Sequence, residues 1–518
     1  MLTQTEVERF DVEPVNSGFK KKRPSLYAAR KKIHPRRAHG NFRRLKWIIM
    51  AVTLAIYYLT PWLRWDRGPF APDQAVLVDL ANRRFYFFFI EIWPQEFFYV
   101  AGLLIMAGLG LFLITSVAGR VWCGYTCPQT VWVDLFLVVE RFFEGERNKR
   151  IALDQAPMSF DKFRKRFAKH ATWLLIAVLT GGAWIFYFAD APTLARDLFH
   201  FEAPMVAYTT IGVLTATTYI FGGLMREQVC TYMCPWPRIQ AAMLDEHSLV
   251  VTYNDWRGEP RSRHQKRAMA QGTPVGDCVD CNACVSVCPM GIDIREGQQL
   301  ECITCALCID ACNGVMDRVG RERGLISYAT LADYNANMVR ATDADGVIEP
   351  GRVRDAAGRL REGFTHFRWR ELVRLRTIIY FVIWASIGLL MAASLATRTR
   401  LDVAVAHDRN PIYVQLSDGS IRNGYTLKIS NMVPEPRDFS VSLEGLPDAT
   451  LELPGVALRD PRSVVLTAEP DKVLTQRVLV ILPPSAIDDS RQSFGFVVKQ
   501  VDGSETAEID AVFDAPER

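Results

Sequence analysis

The sequence predicts a multi-domain membrane protein: an α-helical transmembrane bundle of five helices, a compact cysteine-rich soluble domain, and a C-terminal β-sandwich. Three observations carry this expectation. Five apolar runs are long enough to cross a bilayer as helices. Eight of the twelve cysteines fall between Cys278 and Cys312 in a doubled spacing. Beyond Arg400 the chain changes to short alternating segments with turn signals. At 518 residues it is too long for one ordinary domain. Its mean hydropathy near zero averages strongly apolar blocks with strongly charged ones. The net charge of +4 says little globally, whereas the local placement of Lys and Arg reports membrane orientation.

Residues 1–44 read as a basic cytoplasmic tail. Twelve Lys or Arg and no acidic residue lie between Lys20 and Lys46. No secretory signal fits, because the first apolar run begins only near Trp47. Residues 45–243 are expected to hold four spans: about Leu45–Leu63, Phe97–Ala118, Ala171–Ala189 and Met205–Met225. The aromatic stretch Phe85–Trp93 is expected at the interface rather than across the membrane. The loop from Arg141 to Lys169 has nine basic and four acidic residues, against one and three between Asp190 and Glu202. This asymmetry places the first loop inside and the second outside. Residues 244–376 are soluble in character. A fifth span, 377–397, carries the chain out to residues 398–518.

In that last region, Tyr413–Leu416, Thr426–Ser430, Phe439–Leu443 and Val478–Ile481 read as strands. Asp418-Gly419, Asn423-Gly424 and Asp502-Gly503 read as turns. With no cysteine there, an immunoglobulin-like sandwich would lack the inter-sheet disulfide of antibody domains.

The central stretch reads Cys278-x2-Cys281-x2-Cys284-x3-Cys288-Pro289, then Cys302-x2-Cys305-x2-Cys308-x3-Cys312. Three closely spaced thiolates wrap three corners of a cubane, and the displaced fourth reaches the other cluster. Two 4Fe-4S clusters in a ferredoxin-like module are therefore expected. Cys278, Cys281, Cys284 and Cys312 would hold one, and Cys302, Cys305, Cys308 and Cys288 the other. A zinc ribbon or a disulfide framework does not explain a doubled 2-2-3 spacing. Assembly of such clusters needs a reducing compartment, so the module is expected in the cytoplasm.

The other four cysteines repeat the form C-x-Y-x-C-P, as Cys123-Gly-Tyr-Thr-Cys127-Pro128 and Cys230-Thr-Tyr-Met-Cys234-Pro235. Each copy follows one helical hairpin, so residues 45–240 read as a duplicated two-helix unit. On a continuing helix, cysteines four apart share a face, and each proline would kink the chain. Three readings stand open: helix packing, a thiol-disulfide relay, and a thiolate metal site. Soft thiolates favour Cu(I), so copper is the metal such a site would draw. A membrane b-type haem does not fit, since no histidine lies inside an apolar span.

Several stretches together resemble the CcoG family of cytochrome c oxidase accessory proteins, also called FixG or RdxA. They are Ile33-His-Pro-Arg-Arg, Gly40-Asn-Phe-Arg-Arg, Gln74-Ala-Val-Leu, Trp93-Pro-Gln-Glu-Phe, Gly119-Arg-Val-Trp-Cys, both C-x-Y-x-C-P copies, the doubled cysteine spacing and Gly324-Leu-Ile-Ser-Tyr. The resemblance implies a bacterial inner-membrane cupric reductase that supplies Cu(I) for assembly of cbb3-type cytochrome c oxidase. It implies an immunoglobulin-like periplasmic C-terminal domain, with Cys123, Cys127, Cys230 and Cys234 as catalytic copper ligands. His34 and Asn313 depart from the family pattern, and Asn313 lies beside a cluster cysteine. The partners expected are the membrane, a cytosolic electron donor, and copper-delivery and oxidase-assembly proteins. A homodimer is allowed, and no nucleic acid is expected. The competing functions are an electron-transfer module between a cytosolic donor or the quinol pool and another partner, and a copper-binding scaffold without turnover.

Overall fold

A computed structural model describes residues 32–355, 359–365, 367–368, 371, 373–455 and 460–516. Most of the expected basic tail, residues 1–31, lies outside the described residues. Four described helices are long and apolar enough to cross a membrane: Asn41–Trp62, Pro94–Ala118, Met205–Met225 and Leu375–Thr397. The expected third span falls in the helix Phe160–Ile185. Its first half carries Lys162, Arg164, Lys165, Arg166 and Lys169, and it is apolar only from Ala171 onward. By length and composition alone, then, the described residues give four spans where five were expected.

The chain divides into two compact units: residues 1–61 with 98–388, and residues 62–97 with 389–518. The expected transmembrane region, 45–243, is thereby interrupted. Its segment 62–97 belongs to the unit that holds the C-terminal sandwich.

In the first unit, the helix Asn41–Leu59 starts four residues earlier than the hydropathy suggests, because a partner from far along the chain caps it. The backbone N–H groups of Phe42 and Arg43 donate to the Asp310 carboxylate at 3.3 and 2.7 Å, satisfying otherwise orphaned first-turn donors. A Cβ on Gly40 would collide with the Asp310 carboxyl group, so only glycine admits this approach. Asp310 sits on the helix Leu307–Val319, which follows Cys305 and carries Cys308 and Cys312. The first membrane helix is thus seated on the cysteine-rich domain.

Charges buried between the helices lock the same unit. Glu140, fully buried, accepts from Arg150 at 3.0 Å and Arg226 at 2.9 Å, with Lys169 at 4.0 Å. Lys169 also pairs with buried Glu144 at 2.8 Å. Burial alone would push the Glu140 carboxyl up, but Arg226, Arg150 and Lys169 hold it down at about 2. Trp173 stacks on Phe136 at 5.4 Å, and Arg226 lies over its ring at 5.3 Å. Arg150 further donates to Pro35 O at 2.6 Å, and Arg36 N donates to Ser286 O at 2.8 Å. These bonds fix residues 33–43 against the cysteine-rich domain.

That domain is built on a two-stranded antiparallel sheet, Val250–Tyr253 with Ile326–Ala329. Two helices, Ala283–Val287 and Leu307–Val319, pack together beside it. Buried Asp277, next to Cys278, gathers Arg257 at 2.5 Å, Arg321 at 2.8 Å and Arg354 at 2.8 Å.

The second unit is a sandwich of two antiparallel sheets. One runs in the order Thr450–Glu452, Lys472–Leu482, Ile421–Asn431, Leu401–His407, with Val414–Gln415 also pairing with Ile421–Asn431. The other runs Ser463–Ala468, Arg437–Glu444, Arg491–Gln500, Thr506–Asp514. Alternation buries Tyr425, Leu427 and Ile429 from one sheet against Phe439, Val441, Phe496 and Val498 from the other. Asn423-Gly424 is not a turn, because it pairs in register with Leu479 and Val480 inside a strand. Asp418-Gly419 does form a turn, closed by Leu416 N donating to Ser420 O at 2.9 Å.

The aromatic stretch after the first span forms strands. Val76–Asp79, Arg84–Phe87 and Ile90–Ile92 make an antiparallel sheet. Arg84 ties this sheet to the sandwich through Glu91 at 3.2 Å and Asp471 at 3.7 Å. Arg398 adds a bond to Glu96 at 2.8 Å.

Candidate redox site

The eight clustered cysteines line two separate cavities. Cys278, Cys281, Cys284 and Cys312 share one, and Cys288, Cys302, Cys305 and Cys308 share the other, which Cys284 also borders. The fourth cysteine of each run therefore lies in the other run's cavity. Much of the remaining wall is apolar, with Val315, Met316 and Leu325 in the first and Ile292, Ile303 and Leu307 in the second. Burial pushes the Cys288 thiol up to about 12 and Cys302 up to about 11, and Cys284 and Cys308 well above the ordinary range. Thiols so enclosed are poor bare anions, whereas metal ligation replaces their protons directly.

The backbone fits the same group. Asp280 and Thr304, each just before the second cysteine of its run, have φ of 48° and 55°. Asn282 and Ala306, each just after it, have φ of 58° and 59°. Left-handed non-glycine residues are costly, and four at matched positions mark a constraint imposed by the site. Such turns make the anion-binding concavities found at many iron-sulfur sites. Arg295 borders the first cavity, held by Asp280 at 2.7 Å and Asp293 at 2.6 Å, and its charge counters that of the Cys284 thiolate. Asn313 serves the fold, its side chain accepting from Gly324 N at 2.9 Å.

The C-x-Y-x-C-P cysteines are not on continuous helices. Cys123 lies in the short helix Val121–Tyr125, while Cys127 is extended and Pro128 opens a new helix, Pro128–Glu144. Proline suits that first position, where its missing N–H costs nothing. In the second copy Cys230 lies in a π-helical turn, Val229–Met233, and Cys234 is extended before Pro235 and the helix Trp236–Met243. Each motif is therefore a break that sets its second thiol apart from the first, and the expected shared helical face does not form.

Both motifs nonetheless meet the second cavity. Cys123 and Cys230 pack against the same apolar wall as Cys288, Cys302 and Cys305. Burial pushes Cys230 up to about 12, and the charges of Cys127, Cys123 and Cys234 add to the rise. The first copy docks closely. Tyr125 donates to Cys305 O at 3.2 Å, and a Cβ on Gly124 would meet Ile303 O at 2.7 Å. In the second copy Tyr232 is 75% exposed and docks on nothing comparable. Among the described residues, no three His, Cys, Asp or Glu side chains converge on one point fit for a single metal ion.

Two residues complete this junction. Gln240, fully buried on the helix after the second motif, accepts from Cys123 Sγ at 3.1 Å and donates to Thr115 at 3.2 Å. Arg120 is 4% exposed and bonds to Leu300 O, and its charge bears on Cys123, Cys230 and Cys302. It is a buried cation whose charge reaches Cys123 and Cys230 of the two motifs and Cys302 of the second cavity. The quoted stretch Gly119-Arg-Val-Trp-Cys contains Arg120, but nothing local in sequence reveals what it faces. Gln240 carries no sequence signal.

Residues 225–331 match the family described as "4Fe-4S dicluster domain", 391–516 match "IG-like fold at C-terminal of FixG", and 100–144 match "4Fe-4S binding domain". The chain is 63% identical over 515 residues to "Nitrogen fixation protein FixG" of Rhizobium meliloti (strain 1021), covering 99% of this chain and 98% of that protein. Protein RdxB of Cereibacter sphaeroides is 53% identical over 462 residues, covering 88% and 90%. Protein RdxA of the same organism is 56% identical over 420 residues, covering 81% and 84%. The 4Fe-4S domains and the immunoglobulin-like C-terminal fold stand on these matches.

Proposed function

Because the chain belongs to the FixG/RdxA family, we propose that it is a membrane-bound iron-sulfur oxidoreductase that reduces Cu(II) to Cu(I) for assembly of a cbb3-type cytochrome c oxidase. One observation carries the copper reading: the leading cysteines of the two motifs, Cys123 and Cys230, 107 residues apart in sequence, reach the wall of the second cysteine cavity together.

In this reading Cys278, Cys281, Cys284 and Cys312 hold one 4Fe-4S cluster, and Cys302, Cys305, Cys308 and Cys288 hold the other. When bound, the clusters supply one-electron reducing power to the site. Cys123, Cys127, Cys230 and Cys234 bind the copper ion as substrate, release their thiol protons to water as it binds, and favour its reduced state through soft sulfur ligation. The thiols close around the ion as it binds. The charge of Arg120 favours the anions of Cys123 and Cys230. Gln240 orients Cys123. Tyr125 holds the first motif against the Cys305 loop.

The test is anaerobic Cu(II) reduction by purified protein whose clusters have been chemically reduced. One Cu(I) trapped per electron delivered supports the reading; oxidised clusters with no Cu(I) formed would leave only an electron-transfer module.

The same reading sets the cysteine-rich domain in the cytoplasm of a bacterial inner membrane and the sandwich in the periplasm. With the N-terminal tail also in the cytoplasm, an even number of crossings must precede the cysteine-rich domain, so Phe160–Ile185 must span beside the three other helices there. Its lysines and arginines would then sit at the inner surface, with the apolar residues from Ala171 in the bilayer. Reporter fusions after residues 40 and 300 should be cytoplasmic, and those after 195 and 450 periplasmic. A cytoplasmic signal at 450 would overturn this topology. Copper-delivery and oxidase-assembly proteins are the partners this function requires, and a homodimer is compatible with it.

A further inference from the structure

Beside the first motif lies a cavity of about 590 Å3 that the thiol chemistry does not use. This is within the range of small-molecule sites, roughly 300–1,000 Å3. It opens among helices that include the spans Asn41–Trp62 and Met205–Met225, so it lies at membrane depth. Four aromatic rings border it: Tyr57, Trp132, Trp184 and Phe221. Tyr57 and Trp132 meet edge to face at 5.5 Å.

The polar groups of the lining distinguish it from a groove for an acyl chain. The Tyr57 hydroxyl donates to Thr180 O at 2.7 Å, and the Trp132 ring N–H donates to the Thr180 hydroxyl at 2.8 Å. These bonds hold the aromatic wall rigid. Gln129 commits its amide nitrogen to Phe221 O at 2.8 Å and Arg226 O at 3.2 Å. Among the described residues no donor reaches the Gln129 amide oxygen, and the Thr218 hydroxyl makes no hydrogen bond. Unmade bonds at membrane depth are costly, because no bulk water replaces them. The cavity therefore presents aromatic faces, one hydrogen-bond acceptor and one hydroxyl. A flat ring carrying two hydroxyl groups satisfies all of these at once, and an alkyl tail satisfies none of the polar ones.

Position adds the second argument. Thr126 and Pro128 both line the cavity, and they flank Cys127 directly in the chain. A ligand here would touch the two residues that flank Cys127.

We propose that this cavity binds a lipid-soluble benzoquinol, which serves as the reductant. The inference rests on the copper reading for the fate of the electrons. One quinol breaks two O–H bonds and becomes the quinone, two protons leave to water, and two electrons convert two Cu(II) ions to two Cu(I) ions. Gln129 accepts from one hydroxyl of the quinol and Thr218 bonds the other.

The probe is a short-chain azido-benzoquinone, photolysed with the full chain in detergent. Label is expected on peptides that contain Trp132 or Trp184, and an excess of unlabelled decylquinone should remove it. Leu54→Trp fills the cavity, and Gln129→Leu removes the acceptor without adding bulk; each should cut the competed label at least tenfold while iron content stays at the wild-type value. Decylquinol-driven Cu(II) reduction should fall in parallel. Label that decylquinone does not displace, label elsewhere, or a phospholipid acyl chain as the sole occupant would overturn the inference. Reduction supported only by a soluble cytosolic donor would do so too. If the competed label appears but chemically reduced protein yields no Cu(I), the copper reading fails and the quinol site stands.

Discussion

Replacing Cys123, Cys127, Cys230 and Cys234 together by serine is expected to abolish Cu(II) reduction while both cluster signals persist in paramagnetic resonance. Serine keeps the size of the side chain but offers a hard oxygen in place of a soft, polarisable sulfur. Cys123 and Cys230 pack against the apolar wall of the second cavity and are distinct from the five cysteines that line it, so the cavity should survive. The loss should exceed about 100-fold, since removing outer-shell partners of a metal site alone costs roughly 10–100-fold. A variant that still reduced Cu(II) at the wild-type rate from reduced clusters would return the four cysteines to a packing role. Reduction by thiol oxidation is separated in the same assay, because it would consume two thiols per two electrons without cluster oxidation.

Replacing Glu140 by leucine is expected to cost the membrane-helix unit about 3–5 kcal/mol, the usual penalty for breaking a buried ion pair from one side. Arg150, Arg226 and Lys169 arrive from three separate segments; Arg150 and Arg226 would lose the buried carboxylate they pair with, while Lys169 keeps Glu144 at 2.8 Å. Trp173 fluorescence should report a lowered midpoint on heating, because Arg226 and Lys169 both lie over its ring. An unshifted midpoint would mean that Glu144 takes over the pairing. The pH dependence follows from the depressed carboxyl: its contribution is complete above the ordinary glutamate range and is lost as pH falls from there toward about 2. The leucine variant should lack that acid-side loss.

The parts legible in the sequence were those whose cause is local. Cysteine spacing alone divides the eight thiols into the two groups that line the two cavities, because each group is set by a short loop and one displaced residue. Strand alternation located the sandwich for the same reason. Long-range contacts were not legible. Nothing near Arg84 in sequence indicates that residues 62–97 pack with a strand connection around Asp471. Nothing near Cys123 announces Gln240. The C-x-Y-x-C-P spacing suggested one helical face, but the chain answers each proline by ending a helix before it rather than bending one through it. Asn423-Gly424 has the composition of a turn, yet eleven consecutive pairings to the neighbouring strand override it.

The unequal docking of the two C-x-Y-x-C-P copies has a consequence for how the chain tolerates change. Duplicated sequence ordinarily suggests duplicated constraint. Here the residue after the first cysteine is Gly124, pressed against the backbone of Ile303 and Cys305, while its counterpart Thr231 bonds only to Glu227 O of its own turn at 2.9 Å. The tyrosines differ in the same sense, with Tyr125 4% exposed and Tyr232 75% exposed. A paired substitution scan scored by cluster content should therefore be one-sided. Gly124→Ala and Tyr125→Leu should lower it several-fold, and Thr231→Ala and Tyr232→Leu should leave it unchanged. Equal sensitivity at the two copies would contradict the asymmetry. The repeat is thus symmetric as text and divided in labour once folded: one half is a fixed hinge-pin against the redox domain, and the other is the half on which drift, or an engineer, is free to act.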